Sequence, residues 1–483
     1  MSILSIDAGT TGVTVLVVNE RGEITSRGYS EFEQHFPKPG WVEHDPEQIW
    51  QAVLQAASQA LESGVTIKAI GITNQRETLV FWNRHDLSAP RRAIVWQDRR
   101  TSEIVEEYKP HSELIRSKTG TSLDPYFTST KLVWVQRNEP VLWQQVVCGE
   151  VAIGTVDSYL VARLTEGRSF ITDASNASRT QLCNIDKVEW DKDLLALFEI
   201  PKSALAEIVP NFGQLARTNP ESFLGIDAPI TGMAGDQQAA LFGQTAFEIG
   251  DSKCTYGTGA FYLTNTGGKR IESNNGLIST IAWMAPNGEI TYALEGSVFV
   301  AGSAVQWLRD GLKIIKEAKD VEALASSVDD SDGVIFVPAL TGLGAPWWKP
   351  DARGTIFGIT RGTTIAHIAR ATLEAVACQV TDLAEAMEQD LGQSISTLRV
   401  DGGMAQNNLL LQLQADFMKA KISRGKALET TGIGAAFLAA LGAGLVSNFG
   451  ELQNSWQSDR EFVPIVDRDL NYRAWKHSIS STY

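Results

Sequence analysis

The sequence has few cysteines and no apolar run long enough to cross a membrane. Its four cysteines, Cys148, Cys183, Cys254 and Cys378, lie far apart and form no CxxC pair, so neither a disulfide framework nor a cysteine metal site is expected. The longest apolar run, GIGAAFLAALGAGLV at 432–446, is shorter than the ~20 residues that span a bilayer. This run therefore predicts a buried helix.

The sequence also has no excess of basic residues. Its 57 acidic residues outnumber its 42 basic ones and give a formal net charge of −15. This balance argues against a nucleic-acid partner, whose binding surface is usually basic. A phosphate ligand would have to be held locally, by backbone N–H groups or bound Mg²⁺. The first residues, MSILSIDAGTTG, lack the basic region of a signal peptide and reach Asp7 early. We therefore expect a compact cytoplasmic protein that does not insert into membranes.

Two segments share one plan, a strand followed by a Gly/Thr turn and a second strand. They are ILSIDAGTTGVTVLVVNERGEI at 3–24 and KCTYGTGAFYLTNTG at 253–267, both rich in β-branched residues around the turn. Long helical stretches follow in each half. The repetition predicts two α/β lobes, residues 1–246 and 247–483, related by duplication and facing a central cleft.

A Gly/Thr turn between strands suits phosphate binding. Glycine lets the backbone N–H groups approach phosphate oxygens, and threonine hydroxyls add donors. The alternative is a plain hairpin turn, in which both residue types are also common. The sequence contains no GxxxxGK[ST] motif, so a P-loop is excluded. The near match to GxGxxG at 432–437 lacks its last glycine and predicts a tightly packed helix start.

Three polar residues stand together in an apolar segment, TGMAGDQQAALFG at 231–243. Asp236, Gln237 and Gln238 cost free energy there unless they are paired, hydrated or functional. Read alone, the segment favours Asp236 as the N-cap of a helix. A catalytic carboxylate is the alternative.

Longer strings carry a resemblance to a known family. They are WVEHDPEQIW (41–50), GITNQRET (71–78), YFTSTKLVWVQRN (126–138), TDASNASRT (172–180), AGDQQAALFGQ (234–244) and GTIFGITRGTTIAHIARATLE (354–374). Through them the chain resembles, over essentially its whole length, the sugar and polyol kinases of the actin-like, ribonuclease H-like ATPase superfamily. Within that family it is similar to the branch that phosphorylates glycerol.

The resemblance implies an ATP- and Mg²⁺-dependent transfer of phosphate to glycerol, giving sn-glycerol 3-phosphate for glycerol catabolism. Asp236 would be the general base that takes the hydroxyl proton as the oxygen attacks the γ-phosphorus. A kinase of the same fold acting on another small polyol or sugar is the alternative. An actin- or chaperone-like ATPase without an acceptor is less favoured, because it needs no acceptor-binding residues. The family also implies a homo-oligomer.

The resemblance assigns the polyol site to residues from both halves. Arg76 would donate to hydroxyl oxygens and Glu77 would accept from hydroxyl hydrogens. Because neighbours in an extended strand point to opposite faces, the strand must twist or end there for both to reach one ligand. For the aromatic members, core packing is the alternative. The other contacts assigned to this site are Tyr126, Gln237, Trp96 and Phe261.

The nucleotide site is assigned in the same way. Asp7, at the end of the first strand, would hold Mg²⁺ through its water shell, although an Asp before Gly can equally form a turn. Gly403 follows a predicted strand and would leave a flat surface for adenine or ribose, with an ordinary strand-to-helix loop as the alternative. The nucleotide-binding residues implied are Thr10, Thr11, Gly12, Thr258, Gly302, Gln306, Gly403 and Asn407.

The chain departs from the family pattern in two places. Thr14 stands where an arginine often contacts the nucleotide phosphates, and a hydroxyl cannot replace a charged fork, which predicts a lower nucleotide affinity. The segment at 211–229 has neither a basic glycine-rich loop nor a histidine. Regulation by a sugar bisphosphate or by histidine phosphorylation is therefore not expected.

Overall fold

The structure is a computed structural model that describes residues 2–19, 21–61 and 65–483. Its strands are β1 (Ser2–Ala8), β2 (Gly12–Asn19), β3 (Ile24–Glu31), β4 (Gln34–His35), β5 (Glu43–His44), β6 (Ile67–Asn74), β7 (Val80–Asn83), β8 (Ala93–Ile94), β9 (Val151–Gly154), β10 (Ile171–Asp173), β11 (Cys183–Asn184), β12 (Glu189–Trp190), β13 (Glu207–Val209), β14 (Phe212–Arg217), β15 (Pro229–Gly235), β16 (Ser252–Tyr256), β17 (Ala260–Gly267), β18 (Ile278–Met284), β19 (Ile290–Val298), β20 (Ile335–Val337), β21 (Thr355–Phe357), β22 (Thr397–Asp401), β23 (Lys421–Gly425) and β24 (Ser458–Phe462).

The helices are α1 (Pro46–Ala60), α2 (Ser102–Tyr108), α3 (Ser112–Thr119), α4 (Thr128–Asn138), α5 (Pro140–Val147), α6 (Val156–Leu164), α7 (Ala174–Ala177), α8 (Lys192–Leu197), α9 (Asp236–Gly243), α10 (Gly302–Asp310), α11 (Asp320–Ala325), α12 (Ile365–Leu391), α13 (Asn408–Met418), α14 (Thr430–Gly442), α15 (Phe449–Gln453) and α16 (Asp469–Thr482). Short 3₁₀ turns cover Lys109–His111, Lys202–Ala204 and Gly403–Gln406.

Two sheets with matching strand orders organise the molecule. The first has the order β3-β2-β1-β6-β15-β14. The second has the order β18-β19-β17-β16-β22-β23-β24, in which the six strands from β19 to β24 correspond in turn to those of the first sheet and β18 is additional. In the first, β1 and β2 are antiparallel and β1, β6 and β15 are parallel. In the second, β16 and β17 are antiparallel and β16, β22 and β23 are parallel. The match confirms the predicted pair of duplicated α/β lobes.

The two Gly/Thr turns lie at equivalent places, between β1 and β2 and between β16 and β17. The glycines of these turns also allow the backbones of neighbouring strands to approach each other closely. A Cβ on Gly12 would lie 2.7 Å from the Ser30 carbonyl oxygen, and one on Gly259 would lie 2.4 Å from that of Val298. Glycine is therefore required here by packing as well as by any phosphate contact.

Two helices cross between the lobes. Helix α9 leaves the first sheet and packs with Leu263 and Trp283 of the second. Helix α14 leaves the second sheet and packs on Ile3 and Leu16 of the first. The helices touch backbone to backbone, since a Cβ on Gly434 would lie 1.7 Å from the Ala239 carbonyl oxygen. The predicted buried, tightly packed helix is thus confirmed, whereas the lobe boundary at 246/247 stays a prediction.

Each sheet carries its own core. Helix α1 covers the first sheet with residues such as Ile49 and Val53, and the 27-residue α12 covers the second with Leu373 and Val376. Helices α2 to α5 and α8 share a separate hydrophobic cluster of the N-terminal lobe, whereas α6 packs into the core of the first sheet. In the described part of the chain, helix length and hydropathy nowhere meet the requirement for a bilayer-spanning segment.

Candidate active site

Asp236 is the first residue of α9, and the residue at the N-cap is Gly235. The prediction that Asp236 is the N-cap is therefore wrong by one residue. The reason is steric, because a Cβ on Gly235 would lie 2.7 Å from Cγ and Cδ of Arg76. Only glycine fits at the cap position while Arg76 packs against it.

The Asp236 carboxylate keeps one oxygen free. Its Oδ1 accepts the backbone N–H of Gln237 at 2.7 Å and lies 3.2 Å from Nε of Arg76. No donor among the described residues contacts Oδ2, and the side chain is 26% exposed. Burial raises the pKa of Asp236, and Arg76 and Lys253 oppose this rise. The group is a carboxylate with enhanced basicity and one oxygen open to the cleft.

Strand β6 ends at Asn74, just before Arg76 and Glu77, as the sequence argument required. Glu77 has a positive φ of 59°, which breaks the alternation of an extended strand. Consequently Arg76 Nε lies only 3.9 Å from Glu77 Oε1. The two adjacent side chains therefore point to one place.

Most donors of Arg76 are already engaged. The Nη1 group donates to Glu295 at 2.6 Å and to Gln238 at 3.2 Å, and Nη2 donates to Glu295 at 2.9 Å and to the Tyr126 hydroxyl at 3.3 Å. The Nε–H remains, beside Asp236. Arg76 thus keeps one N–H that none of these partners engages, and it lies 3.2 Å from Oδ1 of the predicted base.

Glu77 is buried and paired. Its Oε1 accepts from Arg179 Nε at 2.6 Å. Burial raises the pKa of Glu77, and the cations of Arg76 and Arg179 hold this rise back. Sequence reasoning missed Arg179, although it lies in the string TDASNASRT, and it missed Glu295, whose signal is one charge inside the apolar strand ITYALEGSV.

The three predicted aromatic contacts meet across the cleft. The ring of Trp96 packs edge-on against Tyr126, with centroids 5.6 Å apart, and against Phe261 of the C-terminal lobe, at 6.1 Å. Its Nε1 donates to Thr10 Oγ1 at 2.9 Å. Trp96 therefore joins the predicted polyol wall to the first Gly/Thr turn.

Gln237 is held by a buried lysine that the sequence argument did not identify. Lys253 Nζ donates to Gln237 Oε1 and, at 2.9 Å, to Thr255 Oγ1. Burial lowers the pKa of Lys253, although Asp401 and Asp236 oppose this. Because the carbonyl oxygen of Gln237 is engaged by the lysine, the amide NH₂ is the end available to a ligand.

On the C-terminal lobe, a cavity of ≈ 500 Å³ opens beside the second Gly/Thr turn. Gly402 directly follows β22 with φ 88°, and no atom lies within 4 Å of a Cβ placed on Gly403. Asn407 also has a structural role, since its Oδ1 accepts the Leu410 N–H at 2.9 Å and caps α13. The cavity is lined by all five predicted nucleotide residues of this lobe: Thr258, Gly302, Gln306, Gly403 and Asn407.

The first turn faces the cleft from the N-terminal lobe. Thr10 and Thr11 lie between β1 and β2, and Gly12 begins β2. Thr14 pairs with Asp7 in the register of the two strands. The position that often carries an arginine in the family is thus directly beside the predicted magnesium carboxylate.

Asp7 fits a cation site. Burial, Asp236 and Glu429 all raise its pKa, and within the described chain no basic side chain pairs with it. Those residues also contain no group of three metal-ligating side chains. Few carboxylates and much retained water are typical of Mg²⁺, so the donors present fit that ion.

Comparison with known proteins places the chain in a family. Its residues 2–243 match the N-terminal domain, and residues 252–443 the C-terminal domain, of the FGGY family of carbohydrate kinases. It is 52% identical to a glycerol kinase of Bdellovibrio bacteriovorus, over 95% of this chain and 94% of that one. It is 48% identical to a glycerol kinase of a Geobacillus species, over 99% and 98%. The solved structure of Plasmodium falciparum glycerol kinase with ADP matches with a TM-score of 0.92 at 37% identity, over 100% and 98%.

Proposed function

This chain belongs to the FGGY family of carbohydrate kinases, and from that premise we infer that it transfers the γ-phosphate of ATP to glycerol. Relatives about half identical over nearly the whole chain are glycerol kinases. The observation in the molecule that carries the proposal is the free Oδ2 of Asp236, in a cleft beside the remaining N–H of Arg76.

The reaction then proceeds as follows. A primary hydroxyl of glycerol lies between Asp236 and Arg76, and its oxygen attacks the γ-phosphorus of ATP. The new O–P bond forms as the bond from the γ-phosphorus to the β,γ-bridging oxygen breaks, which releases ADP and yields sn-glycerol 3-phosphate. The hydroxyl proton passes to Asp236. The first-turn position in α9 favours the ionised carboxylate before transfer.

The remaining predicted residues have supporting roles in this proposal. Glu77 accepts from a second hydroxyl, and Tyr126 and Gln237 contact the others. Trp96 and Phe261 cover the C–H side of the polyol. Backbone N–H groups of the two turns would hold the phosphates, and Asp7 would hold Mg²⁺ through its water shell. When bound, Mg²⁺ neutralises charge on the transferring phosphates.

The test is ADP release from the purified protein with Mg-ATP in the presence of water, glycerol, erythritol, xylitol, xylulose, ribulose or gluconate. We expect strong stimulation by glycerol, because the side chains proposed to bind its hydroxyls are already held beside Asp236. Stimulation by another polyol instead would keep the mechanism and change the substrate. Release that ignores every acceptor would contradict the proposal.

A further inference from the structure

A buried cluster of four charged side chains lies behind the proposed polyol site and is shared by the two lobes. Arg76, Glu77 and Arg179 come from the N-terminal lobe, and Glu295 comes from β19 of the C-terminal lobe. All four side chains are at most 1% exposed. Glu295 is the one member that lies outside the characteristic strings of the sequence.

Glu295 holds both arginines. Its Oε2 lies 2.6 Å from Nη1 of Arg76 and its Oε1 lies 2.9 Å from Nη2, while Oε1 also accepts from Arg179 Nη2 at 3.1 Å. Such a two-point contact fixes the plane of a guanidinium. Burial alone would raise the pKa of Glu295, but Arg179 and Arg76 lower it to about 2. The carboxylate is therefore ionised at neutral pH.

Stability alone gives little reason for a charge at this position. Glu295 lies in register with Leu263 of β17 and Ile278 of β18, in the interior of the second sheet. Replacing a buried ion pair by well-packed apolar residues is often neutral or stabilising. A role in orienting Arg76 explains the charge better than a role in holding the fold together.

The orientation of Arg76 matters for Asp236. Because both Nη groups face Glu295, only the single Nε–H faces Asp236, at 3.2 Å from its Oδ1. Without Glu295, the two Nη groups could turn to Asp236 and form a tight ion pair with the base. The charged groups that face Asp236 are Arg76, Lys253, Glu295 and Asp7.

We propose that Glu295 is a positioning residue for phosphoryl transfer. From the C-terminal lobe it holds both Nη groups of Arg76, so that this arginine contacts the polyol and makes only the single Nε contact with Asp236. The inference rests on the proposed roles of Arg76 and Asp236. It also makes the polyol site depend on both lobes, since the residue that binds and the residue that orients it lie on opposite sides of the cleft.

The experiment measures steady-state kinetics of Glu295→Gln, which removes the charge and keeps the size. We expect kcat/KM for glycerol to fall about 10²-fold, as on losing one partner of a buried charge pair, through a higher KM for glycerol and a lower kcat. The KM for Mg-ATP should not change. Freed Arg76 lowers the pKa of Asp236, so the acidic limb of the kcat profile should move to lower pH.

Glu374→Gln is the matched control, because Glu374 is another buried glutamate paired with arginines, Arg370 at 3.0 Å and Arg468 at 3.7 Å. It removes a similar pair and should leave glycerol KM and the pH profile as in wild type. A folded Glu295→Gln protein with wild-type glycerol KM and pH profile would overturn the inference.

Two further variants keep the result decisive. If Glu295→Gln does not fold, Glu295→Asp keeps the charge but is too short to hold both Nη groups. Its glycerol KM should rise while the acidic limb stays in place, and a wild-type KM in this variant would overturn the inference. Asp236→Asn separates the two claims, since near-normal turnover there would refute the proposed base and not the role of Glu295 in orienting Arg76.

Discussion

At the scale of the residue, Lys131 is a buried side chain that stabilises the backbone around the proposed polyol site without contacting the polyol. Its Nζ donates to the carbonyl oxygens of Tyr126, of Phe127 at 3.2 Å and of Glu77 at 3.4 Å. Burial lowers the pKa of Lys131 to about 7, and Glu77, Asp98 and Asp124 oppose part of that shift. The lysine joins the two loops that carry the proposed polyol contacts.

We expect Lys131 to make stability depend on pH. Between pH 7 and its ordinary pKa near 10.5, the unfolded chain binds one more proton than the folded chain, so stability rises with pH. The urea midpoint of wild type should therefore rise relative to that of Lys131→Met over this range. The exposed Lys68→Met is the control for losing a lysine, and parallel pH curves for wild type and Lys131→Met would count against this account.

Residue identities in the site could be predicted where they lie in characteristic strings, as with Arg76, Glu77 and Asp236. Their partners could not. Glu295 and Arg76 are 219 positions apart, and only the packing of two lobes makes them an ion pair. Lys253 was hidden in the same way, because nothing local indicates that a strand lysine reaches Gln237 of a helix in the other lobe.

At the scale of the element, the crossing of α9 and α14 connects the proposed base to the rest of the molecule. Asp236 begins α9, and the C-terminal part of this helix is pressed against α14. The last residue of α9, Gly243, also lacks room, since a Cβ there would lie 2.1 Å from the Thr430 carbonyl oxygen. Small residues on both helices are therefore a requirement of the close crossing.

Gly434→Ala should consequently destabilise the protein by about 3 kcal/mol, the upper end of the typical cost of overpacking. The added Cβ would lie 1.7 Å from backbone of α9, so α9 must shift, and activity should fall with stability. Thermal unfolding and kcat measure the two effects. Gly362→Ala adds the same methyl in an exposed turn, 3.7 Å from its nearest neighbour, and should change neither. Equal midpoints for both variants would show that α9 can move away at no cost.

The strands and turns around the two Gly/Thr segments could be predicted, because β-branched residues and a glycine turn determine them locally. The N-cap of α9 could not be predicted from the sequence. It is Gly235 because Arg76 occupies the space where a side chain at position 235 would lie. The exchange of α9 and α14 between the lobes was also beyond prediction. It depends on how two separate sheets meet.

At the scale of the whole molecule, the two lobes bring different halves of one reaction together. The N-terminal lobe carries the proposed base and most polyol contacts, and the C-terminal lobe carries the cavity of ≈ 500 Å³ with the proposed nucleotide contacts. Trp96, Phe261, Arg76 and Glu295 join the lobes at the polyol site. A kinase must prevent water from taking the place of its acceptor, and an acceptor pocket closed by residues of both lobes is suited to that task.

The most direct test of this account is ³¹P NMR of the products formed from Mg-ATP and glycerol by wild type and by Asp236→Asn. We predict that wild type places the γ-phosphate in glycerol 3-phosphate, with one ADP for each ester and little inorganic phosphate. Asp236→Asn should still bind glycerol and should form the ester ~10²-fold or more slowly, the loss expected of a general base. Inorganic phosphate as the main product, or wild-type ester formation by the variant, would contradict the account.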